Sequence, residues 1–202
     1  MIRRFRSMQL LVVLIIVAAC SGSTQPDALK LDPSLVRVAD CSGPARSLDA
    51  SLASTLPPRN GSMNPDDRWA DLAEQVPGGF AGVIYADNKP VLMLTDPSQA
   101  SAAKKALASQ LAGFNVAGAE VRKARWDFAQ LVNWYDYLTI KTSVWQTPGM
   151  VSGDKDEAIN RIHFGVVNSA ARDALLHTLA GINLPCDLIA VEITGAVVAN
   201  SR

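Results

Sequence analysis

The sequence predicts an α+β domain of two similar strand–strand–helix–strand units, packing their helices on antiparallel sheet and joined by an aromatic-rich helix. Three observations carry this. Phe80 to Tyr85 and Pro90 to Thr95 read as two strands with a turn at Asp87-Asn88 between them. A capped helix and a third strand-like stretch follow. The same order then recurs at an offset of 72 positions (88 to 160).

The elements follow in order. Asp66 or Asp67 can cap a short helix carrying Trp69, Leu72 and Ala73, ended by Pro77-Gly78-Gly79. After the hairpin, Asp96-Pro97 opens a helix with Asp as cap and Pro at its first position. Ala100, Ala103, Leu107 and Leu111 recur at helical spacing, and Ala119 to Trp126 alternates like a strand. In the second unit Asn160-Arg161 matches Asn88-Lys89 and Ile162 to Val167 matches Pro90 to Thr95. Asn168 takes the place of Asp96 as cap, and Glu192-Ile193 falls on Glu120-Val121 without a gap. The units span about residues 79–126 and 151–195, within a domain of residues 66–202. Neither helix can bury its apolar face alone, so both should pack on sheet.

Between the units, Trp126 to Leu138 is the most aromatic stretch, with Asp127 as cap. Phe128, Leu131, Tyr135 and Leu138 share a face, with Trp134 beside them. Two readings stand: a core helix whose Trp and Tyr ends reach the surface, or a partner-binding face of Trp134, Tyr135, Tyr137 and the nearby Trp145.

The first residues set the compartment. Arg3, Arg4 and Arg6 precede an apolar run from Leu10 to Val17, which ends in Val17-Ala18-Ala19-Cys20. A run of about ten residues makes a helix of about 15 Å, half the roughly 30 Å of a bilayer's hydrocarbon. The layout is that of a signal peptide, residues 1–19. Its end resembles the lipobox of bacterial lipoproteins. That resemblance implies a diacylglyceryl group on Cys20, an acylated (palmitate-type) amino terminus, and a lipid anchor in the envelope. The same resemblance implies, from Ser21 rather than Asp after the cysteine, sorting to the outer membrane, facing the periplasm. Residues 20–65, rich in Ser, Pro, Gly and Asp, read as lipidated cysteine and tether.

Removing three arginines shifts the formal charge from zero to −3, with no clustered basic face to suggest nucleic acid. With Cys20 lipidated, Cys41 and Cys186 remain as a candidate disulfide in an oxidising compartment. Such a bridge closes a loop of about 145 residues, for which chain entropy allows at most about 5 kcal/mol.

The sequence nominates no catalytic residues, cofactor or metal. His163 should point outward from its strand, and His177 lies beside Leu176; neither has ligands at metal spacing. Asp154-Lys155-Asp156-Glu157 reads as a polar hairpin approach, since a calcium loop would need Glu where Gly165 stands. There is no Gly-x-Ser-x-Gly elbow.

The run Gly153-Asp154-Lys155-Asp156-Glu157-Ala158-Ile159-Asn160-Arg161-Ile162-His163-Phe164-Gly165-Val166-Val167, with Trp126 to Leu131 before it, resembles a segment of the prodomains of alpha-lytic-type secreted serine proteases. The resemblance spans about residues 79–194. It implies an α/β folding assistant that binds and inhibits a protease and carries no catalytic residues. No protease sequence follows within this chain, so the resemblance implies either a separate envelope or secreted protein as partner or a shared fold alone.

Overall fold

The computed structural model describes residues 36–37, by backbone alone, and 45–195. The elements are β1 (Val36–Arg37), α1 (Ala50–Ala53), α2 (Pro65–Gln75), β2 (Phe80–Ala86), β3 (Lys89–Leu94), α3 (Ala100–Leu107), β4 (Glu120–Lys123), α4 (Phe128–Lys141), β5 (Met150–Asp156), β6 (Arg161–Val166), α5 (Ser169–Ala180) and β7 (Ile189–Ile193). The class is α+β. One sheet runs β2-β3-β4 and the other β1-β7-β6-β5.

Each unit opens with an antiparallel hairpin, β2–β3 or β5–β6. A helix then crosses over, so β4 runs parallel to β3 and β7 parallel to β6. A crossover connection of this length returns a strand in the same direction. The sheets are therefore mixed rather than antiparallel throughout.

The units match in detail. Bulges interrupt the pairing between Phe80 and Gly82 and between Met150 and Ser152. Gly79 and Gly149 stand just before them at φ 65° and 80°. A side chain on Gly79 would strike Thr95 Oγ1 at 2.1 Å, and one on Gly149 would strike Ala171 Cβ at 2.6 Å. Both carbonyls accept the amide that follows the second strand: Thr95 donates to Gly79 at 3.0 Å and Val167 to Gly149 at 2.9 Å.

The gapless alignment needs one correction. Glu120 pairs with Val91, whereas Glu192 pairs with Gly165. The offset is 72 on β3/β6 (94 to 166) but 70 on β2/β5 (80 to 150) and on β4/β7 (123 to 193). The second hairpin has a longer turn and the second crossover is correspondingly shorter. Glu120 therefore corresponds to Ala190.

Local chemistry sets the boundaries. Asn64 caps α2 by accepting the Asp66 amide, with Pro65 in the first turn. Asp66 and Asp67 thus sit inside that turn rather than at its cap, where they still face the positive end of the helix dipole. Asp96 accepts the Ser98 amide and opens a 3₁₀ turn, Pro97–Gln99, that leads into α3. Asp127 and Gln130 close a reciprocal capping box on α4. Asn168 caps α5 through the Ala171 amide.

Two cores flank α4. Phe128, Ala129 and Val132 join Phe80, Val83, Leu92, Leu94 and Leu107. Leu131, Trp134 and Leu138 join Ile162, Phe164, Val166, Leu175 and Val191. Trp69 on α2 meets both Phe80 and Phe128 at 5.5 Å between ring centroids.

The tether boundary at residue 65 also moves. Leu48 is buried in the second core, with Ala45, Ala53 and Leu56 packed against it. Trp134 Nε1 donates to the Arg46 carbonyl at 3.0 Å. Arg59 pairs with Asp71 at 3.2 Å and also with Glu74. Residues 45–64 therefore belong to the folded domain. Their polar composition hid a few well-placed apolar anchors.

The join between units rests on Asn160. It holds a left-handed φ of 53° and is buried. Its Oδ1 accepts the amides of Arg125 at 2.7 Å and Trp126 at 2.8 Å, and its Nδ2 donates to the Trp126 carbonyl at 2.9 Å. Asn88 has the same backbone sign but lies exposed in the first turn. Asn160→Ala should cost about 3 kcal/mol, from stranded buried amides and left-handed strain. Asn88→Gly should stay within about 0.5 kcal/mol. Denaturant unfolding of both variants checks this; equal costs would contradict the assigned role of Asn160.

Candidate functional site

The four aromatic residues nominated as a partner face do not share one surface. Trp134 is buried, and Tyr137 meets it edge-on at 6.0 Å and 84°. Tyr135 points elsewhere: its hydroxyl donates to the Gly153 carbonyl at 3.1 Å and its ring stacks on Phe164. Trp145 is 41% exposed and packs beside Gly153. The pairs Trp134/Tyr137 and Tyr135/Trp145 therefore belong to two places.

Trp134 and Tyr137 line a cavity of about 460 Å³, where residues 46–52 cross α4 and meet Ile182 and Asn183. Arg46 lies 5.9 Å from the Trp134 ring centroid and donates to Asn183 Oδ1 at 3.3 Å. Asp49, exposed on the rim, accepts hydrogen bonds from the hydroxyl and amide of Ser51. The hydroxyl bond, then the amide bond, hold its carboxyl below the usual aspartate range. Leu52, 38% exposed, completes the wall. The lining combines an aromatic and aliphatic surface with one guanidinium, one carboxylate and serine hydroxyls. That suits capture of a ligand with apolar and polar groups, such as a peptide segment.

Across α1 lies a second cavity of about 320 Å³, lined by Leu56, Pro57, Pro58, Arg59, Asn133 and Asp136. Burial raises the Asp136 carboxyl, Lys155 opposes that rise, and Asp67 and Asp66 add to it.

A buried lysine lies at the junction of the two halves. Lys155 pairs across the hairpin with the core residue Ile162, which places it on the inward face of β5. Its Nζ lies 2.6 Å from Asp66 of α2 and 4.0 Å from the Tyr135 ring centroid. Glu157, in the next turn, packs on Gly82 of β2, where a Cβ would meet its Cγ at 2.7 Å. Burial raises the Glu157 carboxyl, a hydrogen bond from its own amide opposes this, and Asp154, Asp156 and Asp66 raise it further. The group ties α2 and β2 of the first half to α4 and β5 of the second.

His163 points away from the second core, as its strand position predicts, and pairs with Glu192 at 3.1 Å. His177 is exposed on α5. Among the described residues, no group of three or more His, Cys, Asp or Glu could hold a metal ion. No helix among them is long and apolar enough to cross a membrane. Cys20 and Cys41 lie outside the described residues. Cys186 lies half-buried ahead of β7.

Sequence reasoning missed Lys155, Asn160 and Arg46. For Lys155 a signal existed: with Asp156 opposite Arg161, Lys155 must share a face with Ile162. Arg46 carried no local signal. The chain matches no known family, no curated protein and no solved structure with which it was compared.

The raised carboxyls set the sign of a pH effect. An acid whose folded value is raised contributes stability fully below its ordinary value, 4.5 for Glu157, and loses it as pH rises through the folded value. Glu157→Gln removes the cost of ionisation. The variant should melt higher than the parent at pH 7.5 and equally at pH 4. Thermal melts at the two pH values test this; an equal change at both would contradict it.

Proposed function

We propose that this chain is a bacterial envelope lipoprotein, anchored through acylated Cys20, whose α+β domain binds a partner at the cavity beneath α1 and carries out no chemistry. The structural observation behind the binding reading is the Trp134/Tyr137 cavity, with its mixed lining and exposed Leu52 rim. The Val17-Ala18-Ala19-Cys20 pattern supports the anchor. A thiol bearing two chains, with a third on the amine, holds far more firmly than one chain, at about 0.8 kcal/mol per buried methylene. The location that follows is the outer membrane, facing the periplasm.

A second reading is a trans-acting chaperone or inhibitor of a secreted serine protease. It is favoured by the segment Gly153 to Val167, an acidic hairpin whose Asn160-Arg161 leads into an alternating apolar strand, as the resemblance implies.

The proposed Cys41–Cys186 bridge is supported by cysteine arithmetic: with Cys20 acylated, these two remain as an even pair in an oxidising compartment.

Mass-spectrometric mapping of the native, unreduced protein checks both covalent proposals. The expected result is an acylated peptide beginning at Cys20 and a linked peptide pair containing Cys41 and Cys186. An unmodified amino terminus that retains Arg3 to Arg6, or alkylation of both thiols without reduction, would contradict the corresponding proposal. A photo-crosslinking residue in place of Tyr137 should yield a discrete envelope adduct that the same residue in place of exposed Lys105 does not. Identical patterns at both positions would count against the cavity. An adduct with a secreted serine protease, together with its inhibition, would select the second reading.

A further inference from the structure

The two units differ at one edge. In the second, the outer edge of β7 carries β1, with Val36 opposite Val191. In the first, the corresponding strand β4 pairs with β3 alone among the described residues. The offset of 70 makes Val121 the counterpart of Val191. Hydrogen bonds locate the open groups. Ala124 donates to the Leu94 carbonyl at 2.8 Å, as Thr194 donates to Val166 at 2.9 Å. In a parallel ladder alternate residues turn their amides and carbonyls toward the neighbour. Residues 120, 122 and 124 therefore face β3, whereas Val121 and Lys123 turn their backbone groups outward.

Short, charged edge strands ordinarily resist pairing. On β4 the charges are arranged differently. Glu120 and Arg122 flank Val121 on one face, joined at 2.7 Å, and Glu120 is exposed. Antiparallel pairing of Val121 against its own copy sets Glu120 opposite Arg122 twice, so the sequence about Val121 is self-complementary. No other pairing about this two-fold leaves both charges matched while joining outward-facing residues.

We infer that β4 is a self-association edge: two copies of this chain pair antiparallel about Val121 and join their three-stranded sheets into one of six strands. The contact is short, well below the area of about 1,200 Å² typical of stable interfaces, so the dimer is weak and reversible.

The test uses the purified full chain in detergent, by sedimentation. The parent should dimerise at about 0.1 mM. Glu120→Arg or Arg122→Glu sets like charges opposite each other and should weaken association about tenfold. Mixing the two single variants should restore it, because opposite charges then meet wherever position 120 of one copy faces position 122 of the other. The double reversal in one chain should do the same. A parent that stays monomeric at that concentration overturns the inference. So does association unchanged by either reversal, or a mixture no tighter than the single variants alone. Amide exchange gives an independent check: Val121 and Lys123 protected in a monomeric sample would show the edge already filled, and would also overturn it.

Discussion

Helix α4 is required to be apolar in two directions at once. Phe128, Ala129 and Val132 enter the first core, whereas Leu131, Trp134 and Leu138 enter the second. At about 100° per residue these faces lie roughly 130° apart, leaving a polar stripe near Gln130, Asn133 and Tyr137. The shared helix adds a buried face to each core beside the helices of that unit, and so ties the two units together. Full burial of one large side chain contributes about 1.5–3 kcal/mol, so a handful on each face makes the two cores interdependent.

The two similar units supply the parts, and the differences between them supply the specific features. The longer second turn places Asn160 under Arg125 and Trp126, while its counterpart Asn88 meets solvent. The same turn carries Glu157 onto β2. The segment before α2 has no counterpart in the second unit. It adds β1 to one sheet edge and lays Arg46, Leu48 and α1 against α4, and that addition forms the cavity walls. The candidate site is therefore a product of the non-repeated residues lying against the repeated ones.

This explains which parts were legible in the sequence. Hairpins and caps are local, so Asp96, Asp127 and Asn168 could be read from side chains that bond amides two or three residues on. Repetition was visible for the same reason. The two-residue slip at β7 was not, because turn length trades against crossover length outside any short window. Asn64 was overlooked as a cap because Asp66 and Asp67 offered the same chemistry two and three residues on, within the first turn. The aromatic helix read as one face because periodicity alone cannot separate two adjoining stripes. The cavity joins residues 46–52 to Trp134 and Asn183, a long-range contact that no spacing rule encodes.

The charge group around Lys155 shows why a polar residue stands at such a junction. Its partner Asp66 keeps a side chain 41% exposed, so the pair is partly solvated and its net contribution to stability is modest. An apolar residue on β5 would pack comfortably in many relative placements of α2. A single ammonium held 4.0 Å from the Tyr135 ring and 2.6 Å from Asp66 is satisfied in only one of them. The half-buried Asp136 adds further cost to any arrangement in which Lys155 is displaced, since its carboxyl then loses the cation that offsets its desolvation. The two hydrophobic cores hold the halves together, and the lysine adds a directional tie between α2, α4 and β5 to that packing.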